Sequence, residues 1–245
     1  MLLTLLFVVA AAVDPAPLEV TVVVPLCDNA LIACGRAAAG DPRALETNLY
    51  WGAMYGAERY LSRAPGFHVV SRTDAPDPHH PALLRTVVVE RRAAAGERMV
   101  RMTLLAFDGA RIDDALAFFF AQARTPTRDL LVWAGHDRLM DVAAPTASPP
   151  TPTPTRTPKT SRVAVLACES DRYFGPALRA AGATPVAMTR TFMAPEAYLL
   201  EAMAGSIALH GVDASGSLRD ALIAAYAKYQ HLSLRAAGTV FTRVP

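Results

Sequence analysis

Cysteine is scarce in this chain. Cys27, Cys34 and Cys168 are all it has among 245 residues, an odd number that cannot pair completely. Net charge is nearly lacking too. Its 24 basic and 22 acidic side chains leave +2, and no basic run alternates with aromatics, so there is no electrostatic footprint for nucleic acid. A Gly-rich phosphate loop, a zinc-type Cys/His spacing and a Ser-centred elbow are all missing, and no cofactor is called for. His79 and His80 are adjacent in a Pro/Asp loop without nearby Cys or Glu, which falls short of a metal site. No tandem repeat exists beyond a local Thr-Pro pattern.

What is present is apolar: 52% of residues are hydrophobic, enough for one large α/β domain. The amino-terminal run from Met1 to Ala12 is too short to span a bilayer comfortably. It ends in small residues, Ala10 and Ala12, that suit cleavage after Ala12, although a basic n-region is lacking. We therefore expect residues 1–17 to be an export signal and lead-in, the alternative being a buried first strand or helix. Export implies a periplasmic or secreted protein with no stable membrane span after cleavage. In an oxidising compartment Cys27 and Cys34 are close enough in sequence to close a small loop, leaving Cys168 free. All three acting as small buried hydrophobes is the other reading.

Two short apolar runs, Leu130 to Ala134 and Arg162 to Ala167, read as buried strands of a parallel sheet covered on both faces. The first ends in Gly135-His136-Asp137, the second in Cys168-Glu169-Ser170. In such sheets the functional crevice lies beyond the carboxyl ends of the strands. A His at one end and a Cys at the other have the makings of nucleophilic catalysis, since a base generates the attacking thiolate. Leu18 to Leu26 reads as another such strand, running into Cys27-Asp28-Asn29. Asp28 then shares the rim with His136 and Cys168, unless it merely caps the turn.

Thr47 to Ser62 opens with cap-type residues and has apolar residues at helical spacing, which predicts a helix. Gly52 and Gly56 in it permit a close approach, and Tyr50, Trp51, Tyr55 and Tyr60 suit core packing better than a pocket wall. Phe67 to Ser71 reads as a strand, while Leu83 to Glu90 and Glu97 to Phe107 read as a hairpin. Helices are expected at Arg111 to Arg124, Tyr173 to Ala181, Phe192 to Leu209 (with Pro195 in its first turn) and Ser217 to Leu234. Thr184 to Met188 is a further strand. The Pro/Thr-rich tract at 143–159 is an extended or disordered excursion from a single domain spanning 18–245. Strand and helix alternating in this way predict an α/β three-layer sandwich with a mostly parallel central sheet plus a β-hairpin.

The strand ending in Gly135-His136, followed by the strand ending in Ala167-Cys168-Glu169-Ser170, resembles the cysteine peptidases of the caspase-like fold, which include caspases, legumains and gingipains. The resemblance covers about forty residues. It implies Cys168 as nucleophile, His136 as general acid/base and a peptide or protein substrate. In that clan the His is typically followed by Gly, whose N–H helps form the oxyanion hole; here Asp137 stands there, and a carboxylate opposes that potential. Either Asp137 points away, or Asp141 orients His136 while Asp137 binds substrate, or the site has drifted and is inactive. Asp28, Glu169 and Arg190 are further candidates for a charged substrate pocket. Asn48-Leu49-Tyr50-Trp51-Gly52, Gly135-His136-x-x-Leu139-Met140-Asp141 and Met193 to Tyr198 also resemble a group of bacterial proteins without assigned function. Two expectations stand: an exported thiol hydrolase, and a non-catalytic binding protein on the same fold.

Overall fold

The run Leu18–Pro25 (β1) is apolar at nearly every position because it is buried on both faces. Val20, Val22 and Val24 join one core and Val23 the other, as the two-residue period of a strand requires. The computed structural model describes residues 15–74, 78–125, 128–145 and 160–244. The expected signal at 1–12 and most of the Pro/Thr tract, residues 146–159, lie outside these.

Six more strands follow: β2 (Phe67–Thr73), β3 (Leu83–Arg91), β4 (Val100–Phe107), β5 (Leu130–Ala134), β6 (Arg162–Leu166) and β7 (Thr184–Ala187). They form one open sheet in the order β2-β3-β4-β1-β5-β6-β7. The five strands from β4 to β7 in that order are mutually parallel, and β3 pairs antiparallel with both β4 and β2. The expected hairpin is the β3–β4 pair. Helices cover both faces. On one lie α1 (Ala57–Leu61), α4 (Tyr198–His210), α5 (Ser215–Tyr229) and α6 (Leu234–Ala237); on the other lie α2 (Ile112–Arg124) and α3 (Ser170–Ala180). Among the described residues no helix is long and apolar enough to cross a membrane.

The α2/α3 face is held by aromatics. Phe119 of α2, Trp133 of β5 and Phe174 of α3 meet with ring centroids 5.5–5.9 Å apart. α2 starts with Asp113 and Asp114 and ends with Arg124, charges that suit its dipole.

Three expected helices differ from the structure. Thr47 to Ser62 is turns up to the short α1. The side chain of fully buried Asn48 occupies the backbone there, accepting from Cys27 and Tyr50 N–H and donating to the Cys27 and Asp41 carbonyls. An amide that substitutes for main-chain partners competes with helix. The glycines serve the same turns: a Cβ on Gly52 would lie 2.2 Å from the Leu45 carbonyl oxygen. The segment from Phe192 to Ala197 is also not helical. Pro195 disfavours helical geometry at Ala194, whose N–H instead donates to the Tyr226 hydroxyl. Finally, α5 stops at Tyr229, with His231 in the left-handed region at φ 54°.

Candidate functional site

β1, β5 and β6 are adjacent and parallel, so their carboxyl ends share one edge of the sheet. The chain leaving β1 packs on the α4/α5 face through Cys34, Tyr50 and Trp51, whereas Leu139, just after β5, packs on the α2/α3 face. Connections that part to opposite faces make the gap between those two strand ends a topological switch point, the kind of place where such sheets bind ligands.

The register puts two of the candidates at equivalent positions past their strand ends. Ala134 pairs with Leu166, and Gly135 N–H donates to the Leu166 carbonyl at 3.2 Å. Two residues beyond that pair, just past the ends of β5 and β6, stand His136 and Cys168. The first side chain is committed to Asp141: His136 Nε2 lies 2.7 Å from Asp141 Oδ2. Trp133 fixes this turn by donating its indole N–H to the His136 carbonyl.

Cys168 sits on a sharp strand-to-helix turn. Glu169 adopts a left-handed conformation, φ 46°, and α3 begins at once with Ser170. The turn is locked from below: the buried Ser170 hydroxyl donates to the Val165 carbonyl, and Thr189 Oγ1 to the Ala167 carbonyl. The half-buried Cys168 thiol faces Met193, whose N–H donates to Sγ at 3.5 Å. No hydrogen bond joins Cys168 to His136 among the described residues. Burial pushes the thiol above its ordinary pKa, the Met193 N–H opposes this, and the Asp137 and Glu169 carboxylates add to the rise.

Asp137 is fully buried and turned into its own loop, where Oδ1 caps a short 3₁₀ turn by accepting from Leu139 N–H. Its Oδ2 has no hydrogen-bond partner among the described residues. Desolvation therefore raises its pKa to about 7 despite the Leu139 and Met140 N–H bonds.

The other candidates are less central. Asp28 follows β1 on the same edge and accepts from Ala30 N–H, the role of a turn cap. Glu169 pairs with Arg172. Arg190 is exposed and donates to the Thr239 carbonyl, fastening the carboxy-terminal segment rather than facing Cys168. Cys27 and Cys34 form a disulfide, leaving Cys168 as the free thiol. Tyr50 and Tyr226, both close enough to Cys168 to be influenced by it, were not legible as site residues: one read as core, the other as the end of a helix. Among the described residues no cluster of three or more His, Cys, Asp or Glu forms that could hold a metal ion.

No family model, no curated protein and no solved structure matches the chain.

Proposed function

We propose that this edge is a thiol-hydrolase active site on a three-layer, caspase-like fold, with Cys168 as nucleophile, His136 as general base and Asp141 orienting His136. The observation that carries the reading is the register: His136 and Cys168 each follow by two residues the paired ends, Ala134 and Leu166, of adjacent parallel strands, and His136 is bound to a carboxylate. That is the nucleophile, base and orienting group of a triad. With Nε2–H given to Asp141, the free lone pair of His136 is on Nδ1. It takes the thiol proton as sulfur attacks a substrate carbonyl carbon, then returns that proton to the leaving amine. Water next hydrolyses the thioester, restoring the thiol and releasing the acid. The substrate class is a peptide or protein. The Cys27–Cys34 disulfide supports an exported, oxidising setting, in the periplasm or outside the cell.

A second reading has its own observation. The thiol is pushed up rather than down and bonds to Met193 instead of His136, as befits a non-catalytic binding protein. A hydrolase on this frame starts from neutral thiol, so proton transfer accompanies attack and no thiolate–imidazolium pair forms beforehand. A panel of peptide and ester substrates tests the proposal. Turnover by wild type that Cys168→Ala abolishes supports it; indistinguishable proteins across the panel would leave the binding role.

A further inference from the structure

Three cavities adjoin one another around α1, none of them lined by Cys168 or His136. The first, about 310 Å³, is walled by Arg59 and Arg63, which also line the second, about 380 Å³. The second shares Tyr60 and Pro65 with the third, about 610 Å³, which continues between α4 and α5 to Lys228. The result is one long groove rather than a closed chamber. Its middle is apolar: Met54 is 64% exposed there, beside Tyr55.

The charges along it are unevenly matched. Glu58 is held by Arg72 and Arg85, Glu46 by Arg85, and Glu201 accepts from the Tyr60 hydroxyl. By contrast neither Arg59 nor Arg63 has a side-chain partner among the described residues. Lys228 lies over the Tyr229 ring, 5.2 Å from its centroid, and has no ion pair among the described residues. Arg59 in α1 and Arg63 in the turn that follows it line the same two cavities, two cations on shared walls without a side-chain counter-anion among the described residues. Carboxylates also line the groove, and they would repel a continuous phosphate backbone. Discrete acids spaced along a chain, with apolar residues between them, meet no such obstacle.

We propose that this groove binds an extended acidic segment of a partner protein, with carboxylates on Arg59, Arg63 and Lys228 and an apolar side chain against Met54 and Tyr55. The inference is independent of the hydrolase reading. The test is fluorescence anisotropy with a fluorescein-labelled peptide of about ten residues, composed of Asp, Glu, Phe and Ser, at low ionic strength. It is run on wild type and on Cys168→Ala, so that cleavage cannot mask binding. We expect saturable binding that weakens as salt rises. Arg59→Ala/Arg63→Ala should bind at least about tenfold more weakly, and Lys228→Ala, on a different helix, should weaken it as well. Arg59→Glu/Arg63→Glu should instead prefer a version with Lys for the acids. These side chains are exposed or unpaired, so thermal unfolding should be unchanged. Absent binding, equal binding of acidic and basic peptides, or binding indifferent to all these substitutions would overturn the proposal. So would tighter binding of a single-stranded oligonucleotide that the double variant loses.

Discussion

Asp137→Asn isolates a buried carboxyl. Asparagine keeps the Oδ1 acceptor for Leu139 N–H and stays neutral, imitating the protonated acid. In the folded chain Asp137 holds its proton up to about pH 7, against an ordinary value of 3.8. Below about pH 4 both folded and unfolded chains carry the proton and the group has no effect. Between about pH 4 and 7 the unfolded chain ionises first, so stability falls as pH rises; above that range both are ionised and the full penalty applies. Three pH units at about 1.4 kcal/mol each make that penalty roughly 4 kcal/mol. Wild type and Asp137→Asn should thus be nearly equal in stability at about pH 4, and the variant roughly 4 kcal/mol more stable at about pH 8. Urea titrations at both pH values read this as a shift in midpoint at unchanged slope. Asp74 and Asp113, held low by Arg85 and Arg138, change protonation below this window, and their contributions cancel in the difference. A difference that does not vary with pH would refute the reasoning.

Asn48→Ala removes four hydrogen bonds, three of them buried, that tie the end of β1 to the following turns. At about 1 kcal/mol net each it should cost roughly 4 kcal/mol and lower Tm by about 8–16 °C, read by calorimetry. Phe174→Ala empties a fully buried site against Phe119 and Trp133 and should cost about 3–5 kcal/mol in denaturant unfolding. If the hydrolase reading holds, Asp141→Asn should lower kcat with little change in KM. Its effect should fall short of the loss on the order of 10² to 10⁴ expected for His136→Ala. Steady-state kinetics on one peptide substrate separate the two.

The parallel strands were legible because burial on both faces demands continuous apolar runs, as at Leu130 to Ala134 and Arg162 to Ala167. The edge that carries His136 and Cys168 followed from them. What sequence could not convey was tertiary competition for the backbone. The 47–62 segment has helical spacing, but the Asn48 amide takes the Cys27, Tyr50 and Asp41 backbone groups and turns the chain. The Met193 segment looked like a helix start, yet its N–H groups serve the Cys168 sulfur and the Tyr226 hydroxyl. His136 and Asp141 lie close enough in sequence for their pairing to be foreseen. The inward turn of Asp137 was one alternative among several, and only its place beneath the 3₁₀ turn decides it. Arg190 was one of three candidates for a charged substrate pocket; its guanidinium reaches the Thr239 carbonyl.

The proposed pairing of Cys168 with His136 is tested most directly by the acylation rate of Cys168. Protein mixed with p-nitrophenyl acetate and quenched in acid can be followed by intact mass, with peptide mapping to locate the acyl group. The account predicts that the acyl group forms on Cys168, and that His136→Ala slows its formation by a factor on the order of 10² to 10⁴ at neutral pH. Equal acylation rates in wild type and His136→Ala, as for any ordinary thiol, would contradict it.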